Sequence, residues 1–216
     1  MNDSLMNLLP GNFIPIDTQS VLKRDSIPFD TTGQRRQWLW RDAQVLYSTV
    51  SSQNNYIQIN RGSNQGIRDN MGVFSSSGAL VGKVVNVGPN FSQVMSLLHV
   101  QNKVGVLIRR TGSAGTLQWD GEDPGFLTLN NVPRSDSVVV GDTLVTGNLS
   151  LSYPGGHLVG VVAGIVKDAS TNFLVLRIKP VVNFANLQQV MVVENVYFEE
   201  QTRLNKETVR KVDERK

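Results

Sequence analysis

Glycine punctuates this chain too often for long helices. Glycines stand at 62, 66, 72, 78, 82 and 88, with apolar pairs such as Val73-Phe74 and Leu80-Val81 between them. A helix interior would lose roughly 1 kcal/mol at each one relative to alanine. Tight corners and bulges of a small closed barrel, by contrast, call for glycine. The stretch therefore reads as short strands joined by turns.

The same texture runs from Ala43 onward. Val45–Val50 and Tyr56–Asn60 are β-favourable runs flanking the polar turn 51–55. Further candidate strands are Gln93–Val100, Gly105–Arg109, Gly115–Trp119, Phe126–Leu129, Ser137–Val140, Thr143–Val145, Leu158–Ile165, Phe173–Lys179 and Val190–Val193. About a dozen short strands exceed what one small barrel holds, so two barrels, or a barrel with a sandwich, are the natural packing. The 216 residues suffice for one large or two small domains, and folding at this length hides roughly 70% of the unfolded chain's surface.

The two ends differ from the middle. Pro10, Pro15 and Pro28 prevent one long helix in residues 1–39, since proline removes a donor and disfavours helical geometry before it. That arm is expected to be extended and partly ordered. A short helical turn at Thr18–Arg24, capped by Asp17 or Thr18, and a helical run around Gln34–Trp40 are expected within it. In the tail, residues 199–216, six Lys or Arg interleave with five Asp or Glu. Opposite charges at three- and four-residue spacing suit a solvated, frayed helix.

Composition removes several classes of function. The net charge of +3 lacks a one-sign patch interleaved with aromatics, which argues against a nucleic-acid partner. With no cysteine there is no disulfide, thiolate zinc site or cysteine nucleophile. No apolar run reaches the length of about 18 residues that a membrane-crossing helix needs. Met1–Phe13 has no basic segment leading into an apolar one and does not read as a secretory signal. The chain is expected to be a fragment whose anchor has been removed.

Candidate chemistry is sparse. His99 lies in the apolar run Leu97–Val100, and His157 follows the turn Pro154-Gly155-Gly156. Neither accompanies a glycine-flanked serine elbow. The runner-up reading is still a two-barrel serine-type hydrolase using one of these histidines, because triads are assembled in space. Asp120, Glu122 and Asp123 cluster as a hard cation would want, but without the spacing of a calcium loop. Asp-Gly and Pro-Gly around them read as turns, so no metal is expected. The glycines form no phosphate-binding fingerprint and no cofactor is expected. Aromatics are core-enriched; those in or beside turns are the better anchors for a partner. Tyr153, Pro154, Phe126, Trp119 and Phe173 are the candidate partner-binding residues. A carbohydrate- or peptidoglycan-binding module is a third reading, requiring exposed aromatic platforms.

Several runs occur in a telling order. They begin with Ala43-Gln-Val-Leu, then Asn55-Tyr-Ile-Gln-Ile-Asn-Arg-Gly-Ser-Asn-Gln-Gly-Ile, Met71-Gly-Val and Gly78-Ala-Leu-Val-Gly-Lys-Val-Val. Ser92-Gln-Val-Met-Ser-Leu-Leu-His, Gly141-Asp-Thr-Leu-Val-Thr-Gly, Tyr153-Pro-Gly-Gly-His-Leu-Val-Gly and Gln188-Gln-Val-Met-Val-Val follow. Together they resemble the periplasmic β-domain of the rod-shape protein family MreC, from Ala43 to Val193. Gly147-Asn-Leu-Ser-Leu departs slightly from the family's pattern.

The resemblance implies an all-β fold of two small six-stranded β-barrels packed side by side, with an irregular N-terminal arm and a short helical tail. It implies interleaved domains: an arm over 1–39, a first barrel over 40–103 plus about 180–198, a second over 104–179, and a charged tail over 199–216. It also implies a non-enzymatic scaffold of the cell-elongation machinery, periplasmic and held to the inner membrane by an anchor this chain lacks. The implied partners are the elongation-specific penicillin-binding transpeptidase, MreD, RodA and the actin-like MreB. Self-association as a homodimer through a coiled coil is implied for the full-length protein.

Overall fold

A computed structural model of the chain describes residues 13–14, 35–148, 150–167 and 172–213. The expected turn at Thr18–Arg24 and most of the arm lie outside them. Fourteen strands and one α-helix are described, and twelve of the strands form two closed antiparallel barrels of six strands each. β1 (Phe13–Ile14) and β2 (Arg35–Arg36) make a separate short ladder.

The first barrel uses β3 (Trp38–Ser48), β4 (Asn54–Ile59), β5 (Gly72–Ser75), β6 (Leu80–Val87), β7 (Ser92–His99) and β14 (Gln189–Asn195), in the order β14-β3-β4-β7-β6-β5. The second uses β8 (Val104–Ile108), β9 (Ala114–Gln118), β10 (Leu127–Pro133), β11 (Thr143–Thr146), β12 (Leu158–Lys167) and β13 (Phe173–Pro180), in the order β10-β13-β12-β11-β8-β9. The second barrel is thus inserted between two strands of the first. β14 closes the first barrel by pairing Val193 with Trp40 on one side and Val192 with Val73 on the other. Closure leaves no open sheet edge, the liability of short strands.

Two expectations are corrected. The run expected as helix around Gln34–Trp40 is extended, and Trp38–Ser48 forms an 11-residue strand. Trp38 and Trp40 point into the core, 5% and 1% exposed, because pairing along the whole of β14 outweighs local helical preference. Ser137–Val140, expected as strand, is an irregular loop whose Val139 and Val140 are exposed. Asp142 holds that loop: its carboxylate accepts from the Val139 N–H at 2.9 Å and from the Arg110 guanidinium at 2.7 Å through both Nε and Nη2. The tail is a 16-residue helix, α1 (Phe198–Asp213).

Strand alternation explains most of the burial, and its exceptions locate the joint. β4 alternates, with Asn55, Ile57 and Ile59 inward. In β5 all four residues are buried, as are Val190–Val193 in β14. Successive side chains point to opposite faces, so these two strands are covered outside as well as inside. The second barrel supplies that cover, and one contiguous core runs through both barrels.

Candidate partner surface at the barrel junction

The cover is built from the connection between β11 and β12. Tyr153 lies there, 5% exposed, its ring edge-on to Phe74 of β5 with centroids 6.3 Å apart. Gly72 makes the approach feasible. A Cβ at that position would stand 2.5 Å from the Ser152 carbonyl oxygen and 2.7 Å from Tyr153 Cδ1. Pro154 is buried beside it, and its carbonyl accepts from Thr146 Oγ1 at 2.6 Å. The same hydroxyl oxygen accepts from the His157 N–H at 3.0 Å, cinching the loop.

His157 makes a second bridge. Its ring sits 4.8 Å from Phe74 and 5.3 Å from Trp40, centroid to centroid. Trp40 and Phe74 are themselves 5.2 Å apart. His157 Nδ1 lies 3.1 Å from the Gly78 carbonyl; a carbonyl only accepts, so this nitrogen carries the proton. Burial lowers the His157 pKa, opposed by that carbonyl. Gly78 occupies the left-handed turn after β5 at φ 79°, which glycine adopts without a Cβ penalty. Asn195 adds a further tie, donating through Nδ2 to the Leu151 carbonyl at 3.0 Å. Aromatic pairs of this kind add about 0.5–1.5 kcal/mol each beyond the area they bury.

Several grooves open where the barrels meet, and two of them are floored by apolar residues from both barrels and the segments that join them. One, of about 330 Å³, is lined by Arg68, Met71, Leu151, Glu194, Val196 and Phe198. Glu194 there is held at 2.7 Å by Arg41 and at 3.3 Å by Arg68. The other, of about 410 Å³, is lined by Val50, Leu98, Pro124, Val181, Val182 and Phe184 among others. Apolar floors with polar rims are the anatomy of a protein-binding surface.

The five candidate anchors separate into three places. Tyr153 and Pro154 face the first barrel. Trp119 is 3% exposed and its indole N–H donates to the Asp123 carbonyl at 3.0 Å. Phe126, half-buried, follows the same turn beneath the Arg177 guanidinium, which lies 3.6 Å from its ring centroid and 3.2 Å from Asp123 Oδ2. Phe173, at the start of β13, is 48% exposed and belongs to neither group. Trp40, Phe74, Gly72 and His157, which build the joint, were not singled out as a set from the sequence. Their contacts join residues far apart in the chain, and no local motif marks them.

The histidines and carboxylates have structural partners. His99 is 1% exposed; its Nδ1 accepts from the Gln101 N–H at 3.1 Å, so Nε2 bears the proton toward Tyr56 Oη, also at 3.1 Å. Burial lowers its pKa. Asp120 and Asp123 accept from the Glu122 and Gly125 N–H groups as turn residues. Among the described residues no group of three potential ligands could hold a metal ion.

Comparison with known proteins places this architecture. A family model described as rod shape-determining protein MreC, barrel core, matches residues 45–194. The chain belongs to the MreC family. The cell shape-determining protein MreC of Haemophilus influenzae is 31% identical over 153 residues, 69% of this chain and 42% of that protein. The chain thus spans less than half the length of that MreC. A solved Listeria MreC aligns with a TM-score of 0.68 at 25% identity, covering 74% of this chain and 77% of the other. An MreC chain from Helicobacter pylori, solved in a complex with the penicillin-binding protein PBP2, aligns at 0.59 over 74% of this chain and 99% of its own. At 14% identity that last likeness is one of fold.

Proposed function

We propose that the chain is a non-enzymatic periplasmic scaffold of the cell-elongation complex whose two-barrel body docks the elongation-specific penicillin-binding transpeptidase. The carrying observation is the barrel junction, where one contiguous core joins the two barrels and apolar grooves open between them. Family membership and the PBP2 complex of the Helicobacter pylori relative support the choice of partner. Exposed Phe173 and half-buried Phe126 supply aromatic contacts, while Tyr153, Pro154 and Trp119 back the surface from beneath. MreD, RodA and the MreB-linked complex are further partners in this reading. A membrane anchor and a coiled coil that brings two copies together belong to the longer protein. Residues 40–103 with about 180–198, and 104–179, act as its two units. The scaffold would activate its partner by binding the active conformation more tightly than the inactive one, since only differential affinity shifts a population.

Calorimetric titration of the chain against the periplasmic part of the transpeptidase from the same organism tests the reading. A saturable one-site isotherm is expected, weakened by Phe173→Ala and Phe126→Ala. Absence of heat at high concentration, with both proteins folded, would remove the transpeptidase as direct partner. The hydrolase reading has no comparable support, because both histidines are spent on structural bonds.

A further inference from the structure

We propose that the groove along the outer face of β8 binds an extended peptide by its acidic end, seating carboxylate groups among Lys83, Lys103 and the Tyr153 hydroxyl. This site is separate from the two grooves described above and does not rest on the transpeptidase reading. Its volume is about 320 Å³, within the range of small-ligand sites. β8 forms one wall. Val104, Val106 and Ile108 point into the second barrel, so Lys103, Gly105 and Leu107 face outward along the strand. The connection between β11 and β12 forms the other wall, through Gly147, Ser150, Ser152 and Tyr153.

One end of the groove is rich in donors. Lys83 of β6 stands directly opposite Gly72 of β5, and opposed residues share a face of the sheet. Gly72 faces Ser152 and Tyr153, so Lys83 projects from the first barrel toward the same loop. Lys103 reaches the groove from the chain crossing just before β8. Among the described residues no acidic one lines the groove, and neither lysine is held in an ion pair. Tyr153 is 5% exposed, and buried tyrosine hydroxyls usually find a partner. Among the described residues none bonds this one, and its oxygen is not sealed from solvent. The hydroxyl therefore opens on the groove that Tyr153 lines. Burial pushes the Tyr153 pKa up, so the oxygen keeps its proton and can donate it. Ser150 Oγ accepts from the Ser152 N–H at 3.1 Å, which leaves its own O–H to turn toward a ligand.

Length and polarity select the ligand. From Lys103 to Leu107 the outer stripe of β8 runs roughly 13 Å, at the rise of about 3.3 Å per residue. An extended peptide has the same period, so two of its residues four apart stand over Lys103 and over Leu107. Between them lies Gly105, where an added Cβ would meet nothing within 4 Å, which leaves space for the ligand's main chain. The far end is apolar, since Leu107 pairs with exposed Ala114 of β9. The complement of this wall is a peptide with carboxylates at one end and an apolar side chain four residues away. Two lysines fall short of the clusters of about four to eight basic residues that hold a protein to an anionic membrane. A nucleotide base would want a free aromatic face, whereas the Tyr153 ring is packed against Phe74.

The test is a titration of the isotope-labelled chain with the peptide acetyl-Leu-Ala-Ala-Ala-Glu, carrying a free C-terminus, followed through backbone amide resonances. Saturable shifts are expected at Lys103, Gly105, Leu107 and Gly147, and none at Gly125, which lines another groove. The neutral peptide acetyl-Leu-Ala-Ala-Ala-Gln-amide and inorganic phosphate should not reproduce them. Lys83→Ala, Lys103→Ala and Tyr153→Phe should each raise the dissociation constant about fivefold, the worth of one net hydrogen bond. Gly105→Val fills the groove and should abolish binding. Urea unfolding checks that the last two variants stay folded: Tyr153→Phe keeps the ring that packs on Phe74, and Gly105→Val adds its atoms to open space. No shift at millimolar peptide, equal binding of the neutral peptide, or the same shifts from phosphate alone would overturn the proposal. Binding indifferent to the two lysines, to the Tyr153 hydroxyl or to Gly105→Val would overturn it as well.

Discussion

Replacing Gly72 by alanine would put a methyl carbon 2.5 Å from the Ser152 carbonyl oxygen, 2.7 Å from Tyr153 Cδ1 and 3.0 Å from Val193 Cγ1. Two of these neighbours come from the second barrel and one from β14, so β5 can move away from neither side. The Tyr153 ring could retreat, but the Ser152 carbonyl is backbone, in a loop cinched through Thr146 and His157. Overpacking of a well-filled site costs about 1–3 kcal/mol. For a domain of this size each kcal/mol lowers Tm by about 2–4 °C, giving a drop of about 2–12 °C. The internal control is Gly105→Ala in β8, where nothing lies within 4 Å of the added methyl. There the substitution should stabilise, by about 0.4–1 kcal/mol, because alanine restricts the unfolded chain more than glycine does. Tyr153→Ala empties the site and should cost about 3–5 kcal/mol by itself. In combination with Gly72→Ala it should cost less than the sum, with a coupling of about 0.5–3 kcal/mol as for residues in contact. Urea unfolding of the four variants measures all of this. If Gly72→Ala were as stable as Gly105→Ala, or additive with Tyr153→Ala, the second barrel would not rest on β5 as described.

Two further predictions concern charge. Asp142→Asn keeps the shape but loses the paired charge-assisted bonds from Arg110, and should cost about 1–3 kcal/mol, toward the low end because Arg110 is half-exposed. Urea midpoints at pH 7 measure it; since Arg110 and the Val139 N–H hold the Asp142 carboxyl below its usual range, the deficit should vanish as pH falls through that lowered value. His99 and His157 both have pKa values lowered by burial. The unfolded chain then binds more protons in the window below the ordinary histidine value of about 6.5, so stability falls as pH drops through it. Urea midpoints at pH 7.5 and 5.5 should show the loss, and His157→Phe should reduce it. A midpoint flat across that range would refute the assignment of two buried neutral histidines.

The fold was legible where local chemistry and tertiary demand agree. Closely spaced glycines between β-branched pairs specify corners whatever surrounds them, and strand number points to two barrels or a barrel with a sandwich; the two six-stranded barrels came from the family resemblance. It was illegible where they part. Arg35, Arg36 and Gln37 look helical, yet they lead into the strand whose Trp38–Gln44 β14 pairs with along its whole length, and no local signal announces a partner so distant in sequence. Ser137–Val140 has three consecutive valines and resembles a buried strand, yet the carboxylate of Asp142 commits the loop to an irregular path. The candidate site shows the same limit. An aromatic beside a Pro-Gly turn, as at Tyr153, signals a projecting side chain, but not whether it projects into solvent or into a second barrel. Gly72 and Gly78 were visible as punctuation; their service to Ser152 and His157 required the fold.

The inserted topology bears on how such a body could work as a scaffold. Two chain crossings, 100–103 and 181–188, join the barrels, and the strand that completes the first barrel is made only after the second has been traversed. Without β14 the first barrel would have open edges at β3 and β5, so its closure depends on the later chain having folded back. Loop-closure entropy over so long an excursion makes that step slow, but once made it ties both barrels into one contiguous core. Independent barrels would let a partner bound to one groove tilt freely about the other. Here the groove lined by Met71, Leu151 and Asn195 borders the joint, where the rings of Trp40, Phe74, Tyr153 and His157 are packed and polar ties run from Gly78 and Asn195, while the other groove opens on Leu98, Val182 and Phe184 of the same contiguous core. A partner touching both grooves therefore meets a fixed separation, and its own conformations are selected by which of them fits. Loosening the joint at Gly72 should then weaken binding even though Gly72 itself is buried and touches no partner.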